Sequence, residues 1–329
     1  MLSCCFLIRN TFTLGLAGAM LTLTTLAFRL EAQTLYVGNA GTSPKIEAFT
    51  STGVGSVFAT NSVFGFQGLA FDSHGVLFAQ DSGSQASSGN YNIERFNTSG
   101  SNLGVFGHIN YGDTPRGIAF DSAGNLYVAN SSNNVNNPST IIKFTPGGAR
   151  TIFAQTSTGL SGPYGLAFDA AGNLYVANTL GNFIERFSST GVDLGIFAKG
   201  GLIENPLGLA FDKAGNLYVA NNQTGTGGNS IIKITPTGVQ STFANTLING
   251  AYGIAFDPTG NLYVANNGNN TVARFTPTGV GSIFANTGLN HPTFLTFGPS
   301  VVPEPGTLAL LTGLGLTSFL TLRRQRQNR

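Results

Sequence analysis

The sequence predicts an all-β protein: a six-bladed β-propeller of four-stranded antiparallel blades, closed by pairing of its C-terminal strand with its first blade. Three observations carry this. A unit of about 45 residues recurs six times between Leu35 and Pro299. Each unit holds four short runs rich in Val, Ile, Phe and Tyr, separated by Gly, Asn, Asp and Pro, which is the patterning of strands rather than helices. The first unit lacks its opening run, and the chain supplies a counterpart at the far end, Phe294-Leu295-Thr296-Phe297-Gly298. Four strands per repeat, at a period of roughly 40 to 50 residues, is the signature of propeller blades.

The opening run, Gly-Leu/Ile-Ala-Phe-Asp, stands at Gly68, Gly117, Gly165, Gly208 and Gly253, at intervals of 49, 48, 43 and 45 residues. Its small residues suit a blade that tapers toward an axis. A tight turn follows, Asp-x-x-Gly-Asn in four copies and degenerate at Asp72–Val76. The second run, Leu-Tyr-Val-Ala-Asn, begins at Leu126, Leu174, Leu217 and Leu262, with variants at Leu35 and Leu77. It is apolar throughout, because each blade covers its neighbours. The third run lies at Ile46–Phe49, Ile93–Phe96, Ile141–Phe144, Ile184–Phe187, Ile231–Ile234 and Val272–Phe275. Next comes a turn with Gly at a fixed place (Gly53, Gly100, Gly148, Gly191, Gly238, Gly279), as a hairpin needing positive φ requires. The fourth run carries Phe58, Phe106, Phe153, Phe197, Phe243 and Phe284. Seventeen of the 26 Phe residues occupy three repeat positions and are read as packing between blades. A closing strand at about 292–299 completes the first blade and leaves no open seam.

The pattern Pro-x-Gly-Ile/Leu-Ala-Phe-Asp, then Gly-Asn-Leu-Tyr-Val-Ala-Asn, then Ile-x-x-Phe, resembles NHL-type repeats across the whole core. The resemblance implies that the opening strand of each blade lies nearest the axis.

Residues 1–32 read as a secretory signal: Arg9, an apolar Thr-rich stretch from Thr11 to Phe28, and Ala32 as its last residue. Both cysteines, Cys4 and Cys5, fall inside it, so the exported protein carries no thiol. The propeller is assigned to 33–300. Residues 301–329 form a tail: Pro303-Glu304-Pro305, an apolar run Thr307–Leu322, and a terminal cluster of arginines. As a helix that run spans about 24 Å, short of the ~30 Å hydrocarbon core, and the arginines stay cytoplasmic. The two prolines hold Glu304 in an extended stretch that a processing enzyme can grip. Terminal apolar helices are therefore expected at both ends. The tail resembles the PEP-CTERM sorting domain. That resemblance implies an exosortase-type processing enzyme as partner, membrane attachment through the C-terminal helix before processing, and delivery to the cell surface or extracellular matrix of a Gram-negative bacterium.

The formal charge of +2 is set by the ends. Residues 33–302 hold 10 basic and 12 acidic side chains, with no basic stripe, which excludes nucleic acid as a partner. Charged residues make up 9% of the chain, against about 25% in typical globular proteins. A surface of Asn, Thr, Ser and Gly is compatible with contact to an exopolysaccharide or a surface protein, although the chain has no Trp.

Alternating strand direction gathers the variable connections, among them Asp81–Asn92, Asn130–Thr140 and Lys199–Leu207, on one face, the usual binding face. Gln67, Arg116, Tyr164, Leu207, Tyr252 and Thr293 lead into the innermost strands and ring the channel mouth. The candidate ligand residues are Gln67, Arg116, Tyr164, Tyr252 and Asp81: Arg116 to hold a carboxylate or phosphate, the tyrosines to stack on a sugar or donate hydrogen bonds. The strand-end ladder Asn39, Asp81, Asn130, Asn178, Asn221 and Asn266 reads as turn caps rather than a metal site, since hard cations want clustered carboxylates. Lactonases of the gluconolactonase class use similar propellers with a divalent metal held by Glu, Asp and Asn. This chain places no acidic residue on the inner-strand entrances, and His74, His108 and His291 fall in unlike contexts. No catalytic residue, metal or cofactor is assigned. The reading is an exported binding or structural propeller without enzymatic activity; the alternative is a metal-dependent lactonase, hydrolase or lyase of the gluconolactonase-like class.

Overall fold

The computed structural model describes residues 33–42, 44–60, 65–81, 91–109, 114–132, 138–155, 159–222 and 229–299. The segments read as signal (1–32) and sorting tail (301–329), with the helices expected in them, lie outside the described residues. Within those residues there is no helix, and six four-stranded antiparallel sheets account for all the strands.

Blade 1 comprises β1 (Leu35–Asn39), β2 (Lys45–Phe49) and β3 (Gly55–Thr60). Blade 2 runs from β4 (Phe66–Phe71) through β5 (Leu77–Asp81) and β6 (Tyr91–Phe96) to β7 (Asn102–Ile109). Blade 3 holds β8 (Thr114–Phe120), β9 (Leu126–Ser131), β10 (Thr140–Phe144) and β11 (Arg150–Gln155). Blade 4 holds β12 (Pro163–Phe168), β13 (Leu174–Asn178), β14 (Phe183–Phe187) and β15 (Asp193–Lys199). Blade 5 holds β16 (Pro206–Phe211), β17 (Leu217–Asn221), β18 (Ser230–Ile234) and β19 (Gln240–Ala244). Blade 6 holds β20 (Ala251–Phe256), β21 (Leu262–Asn266), β22 (Thr271–Phe275) and β23 (Gly281–Ala285). The last strand, β24 (Pro292–Phe297), is the innermost strand of blade 1. It pairs antiparallel with β1, Leu35 opposite Phe297 and Val37 opposite Leu295. The ladder ends at Phe297. Beyond it the Gly298 N–H donates to the Thr34 carbonyl at 3.0 Å, so both ends of the described chain leave the wheel side by side.

The inner strands β4, β8, β12, β16, β20 and β24 pack against one another around the axis. The second strands are buried from end to end, as in β13 and β17, because both of their faces meet other blades. The outermost strands expose most of their length. Each hydrophobic cluster straddles a seam; Ala177 and Ile184 of blade 4, for example, pack with Leu209, Leu217 and Val219 of blade 5.

A ring triad repeats at every seam. Tyr175 stands edge-on to Phe197 of its own blade and to Phe211 of the next, both at 4.9 Å. Tyr36, Phe78, Tyr127, Tyr218 and Tyr263 do the same with their fourth-strand and next-blade Phe partners at 4.8–5.0 Å. Such edge-to-face pairs add about 0.5–1.5 kcal/mol each beyond the area they bury. The third-to-fourth-strand turns carry their Gly at φ between 81° and 88°, where a side chain is strained.

Candidate functional site

The six inner strands share a device that was not legible in the repeat. Each carries a β-bulge near its start: Pro163 opposes Asn178 and Leu166 opposes Val176, so two residues on β12 face one on β13. The same shift occurs in β8, β16, β20 and β24, and in β4 one residue earlier. A bulge bends its strand and re-aims a side chain. Here it concerns the pairs Gln67-Gly68, Arg116-Gly117, Tyr164-Gly165, Leu207-Gly208, Tyr252-Gly253 and Thr293-Phe294. The glycine half is obligatory. A Cβ on Gly165 would stand 2.0 Å from the Leu207 carbonyl, and one on Gly208 would stand 2.3 Å from that of Tyr252.

The other half projects to the axis. Arg116 lies over the Tyr164 ring, 5.2 Å from its centroid, and Tyr164 meets Tyr252 at 5.8 Å. Phe294 breaks the glycine series. Its ring stacks on Tyr164 at 6.0 Å and 17°, although blades 1 and 4 face each other across the wheel. The channel is therefore crossed by Phe294, and a methyl on Gly117 would stand 3.1 Å from it. Tyr164 is buried, 8% exposed. Burial drives its hydroxyl well above the ordinary phenol range, with Arg116 partly opposing that rise and Tyr252 adding to it. Gln67, Arg116 and Tyr252 are half-buried above it. Thr293 instead donates to the carbonyls of Gly38 or Phe66, tying β24 to blades 1 and 2.

Polar departures from the repeat concentrate in blade 2. Gln67 buries an Oε1 without a hydrogen-bond partner, and Gln80, where most blades have Ala, buries both amide atoms likewise. Asp81 replaces the Asn of the five other blades. It sits one strand out from the channel, 1% exposed, and its Oδ1 accepts from the Asn92 N–H at 2.9 Å. Burial, and then the Asp81 carboxylate, raise the Glu94 pKa.

The asparagine ladder clamps the loops that lead into the inner strands. Asn178 accepts from Ser161 N–H at 2.8 Å and donates to Gly159 O at 3.2 Å. Asn266 accepts from Asn249 N–H and donates to Leu247 O, and Asn39 accepts from Asn290 N–H. The Asn178 and Asn266 amides are thus spent largely on backbone, whereas Asn39 buries an Nδ2 and Asn130 an Oδ1 without a hydrogen-bond partner. Among the described residues no three His, Cys, Asp or Glu side chains gather where they would hold a metal.

A β-propeller repeat family matches residues 106–137, from the fourth strand of blade 2 into blade 3. No curated protein matches the chain. Among solved structures it is similar to a chain of a nidogen/laminin complex at 20% identity, with 82% of this chain and 99% of that one covered and a TM-score of 0.66. Virginiamycin B lyase from Staphylococcus aureus is similar at 20% identity, with 72% and 78% covered and a TM-score of 0.53. A protein of unknown function from Bacteroides caccae is similar at 15%, with 81% and 99% covered and a TM-score of 0.58. Fold is what these likenesses share: a six-bladed propeller.

On the opposite face the propeller's Asp turns close on themselves. Asp121 Oδ1 accepts from Ala123 and Asn125 N–H, and Oδ2 from the Asn125 amide and the Tyr127 hydroxyl. Burial alone would raise its pKa, but these bonds outweigh it and hold the carboxyl below its usual range. A basic side chain from the third strand joins the tyrosine in several blades: Lys143 at 5.4 Å from the Tyr127 ring centroid, Lys233 at 5.6 Å from that of Tyr218, and Arg186 and Arg274 against Tyr175 and Tyr263. The sequence reading missed these bases. Their signal was there, a Lys or Arg one residue before the end of the third run in five units.

Proposed function

We propose that this chain is an exported propeller of the cell surface or extracellular matrix that works by contact rather than catalysis, engaging carbohydrate or protein through its variable loop face. One arrangement carries the reading. The chain ends leave together beside Thr34 and Gly298, on the Asp-turn face. Gln67, Arg116 and Tyr252, which vary where the scaffold repeats, open on the other. A tail of the PEP-CTERM kind leaving one face would turn the other outward. The likeness in fold to a chain of a nidogen/laminin complex supports a role in contact with a partner.

Glycan arrays and pull-downs with the purified chain test the contact. Binding is expected to fall at least tenfold in Arg116→Ala and Tyr252→Ala while the melting temperature stays within a few degrees; unchanged binding in both would overturn the assignment. Replacing Glu304 is expected to hold the precursor in the membrane fraction, and normal release of that variant would count against exosortase processing.

A second reading, a small-molecule lyase, is favoured by the likeness to virginiamycin B lyase. A catalytically inactive His-to-Ala form of that lyase is known, whereas His74, His108 and His291 here all lie off the inner strands. Turnover of quinupristin by the purified chain would install this reading in place of the first.

A further inference from the structure

The Asp-turn face holds a cavity of about 650 Å³ in the seam between blades 5 and 6. One of about 330 Å³ occupies the corresponding place between blades 2 and 3. The repeat supplies both with the same walls: Tyr218, Phe243 and Phe256 in the larger, Phe78, Phe106 and Phe120 in the smaller. They differ in what the repeat does not fix. Lys213 and Pro258 line the larger cavity where Ser73 and Ser122 line the smaller, and Leu103 reaches into the smaller one alone. On a pseudo-symmetric wheel, such departures are where a ligand can be read.

A donor and acceptor count gives its chemistry. Lys213 is exposed, and its Nζ donates to the Pro258 carbonyl at 2.6 Å, which holds the ammonium across the seam. Two of its three N–H groups remain. Lys233 donates to the Tyr218 hydroxyl. Among the described residues no ion pair takes up either lysine. The nearby carboxylates are turned into their own loops. Asp212 accepts from Ala214 N–H, Asn216 N–H and the Asn216 amide, and Asp257 accepts from the matching groups of Thr259 and Asn261. The cavity therefore offers unspent cationic donors while its two aspartates are occupied, and the Gln33 amide completes its lining. Phe243 and Phe256 are partly exposed and give it aromatic walls.

We propose that the blade 5–6 seam is a second binding site, for a carboxylated sugar, with Lys213 and Lys233 on the carboxylate and the Phe243 and Phe256 rings against the C–H face of the pyranose. Its volume falls in the range of small-ligand sites, about 300–1,000 Å³. The site lies on the face opposite the channel mouth, so it stands or falls independently of contact through the loop face. The same chemistry is presented by a free hexuronate and by one unit of an acidic polysaccharide.

Calorimetric titration of the purified full chain with galacturonate, trigalacturonate, glucose and inorganic phosphate tests this. Galacturonate is expected to bind, weakening as salt rises. Lys213→Ala, on an exposed turn, is expected to weaken it at least tenfold with an unchanged melting curve. Lys233→Gln is expected to do the same, and Arg116→Ala to leave it intact. Tighter binding of the trimer assigns the polysaccharide as source; equal binding per sugar assigns the free acid. The proposal is overturned if uronate does not bind, if Lys213→Ala binds as well as the parent, if Arg116→Ala abolishes binding, or if phosphate or glucose binds equally well.

Discussion

Five glycines and one phenylalanine occupy the same place on six inner strands. The glycines exist because the next blade's carbonyl lies where a Cβ would go. Gly165→Ala is expected to cost about 1–3 kcal/mol, as overpacking does, while Gly147→Ala, on an open turn, stays within about 0.5 kcal/mol; urea melts compare them. Equal stability of the two would refute the close approach. Glu185 is a second case. It is 2% exposed. Burial, then the hydrogen bond and the charge of Asp193, push its pKa up from 4.5 to about 8. The folded state therefore keeps a proton that the unfolded chain releases near the ordinary value. Its stabilising contribution is full below about pH 4.5 and is lost as pH rises through about 8. Melting temperature is expected to decline across that window, and Glu185→Gln to flatten the decline. The carboxyl pair was invisible in sequence because Glu185 and Asp193 meet only through the β14–β15 register, Glu185 opposite Ile196 with a bulge on each side.

At the scale of the element, strands were legible and their irregularities were not. Runs such as Leu-Tyr-Val-Ala-Asn state their burial outright. The inner-strand bulge leaves no mark in a Pro-x-Gly-Leu run, yet it is what sends Arg116 and Tyr164 to the axis. The ladder asparagines read as turn caps; the fold uses them to clamp loops that start 17 or more residues away, as Ser161 from Asn178. Asn221→Ala removes the bonds to Glu204 N–H and Leu202 O and is expected to cost about 1–3 kcal/mol by leaving backbone groups unpaired. Chemical denaturation measures this, and a change within error would mean that water replaces the clamp. Deleting 292–299 removes β24 together with Phe294 and Leu295. The ring should then lose its single cooperative melt and gain exposed edges. A truncated chain that melts and dissolves like the parent would show that closure does not depend on β24.

Closure at the scale of the molecule joins the two most distant strands of the chain, β1 and β24, so the wheel cannot be completed until both have formed. The Gly298–Thr34 contact puts the ends within one hydrogen bond, 3.0 Å, of each other. A circular permutant that links Pro299 to Gln33 through a short Gly/Ser segment and opens between Pro146 and Gly147 is expected to keep its fold. Its circular dichroism should match the parent, with melting within a few degrees; a chain that fails to fold would mean that the outgoing segments, not the wheel alone, hold the ends together.

The repeat by itself determined the architecture: strand number, blade count, the closing strand and the aromatic seams all follow from periodic burial, which is a local and repeated property of the residues. Tertiary structure alone decided what happens where the copies differ. Phe294 of the last strand crossing the channel onto Tyr164 of blade 4 arises from side chains far apart in the chain that meet around an axis. A period encodes what recurs, and a site on a symmetric wheel is built from what does not.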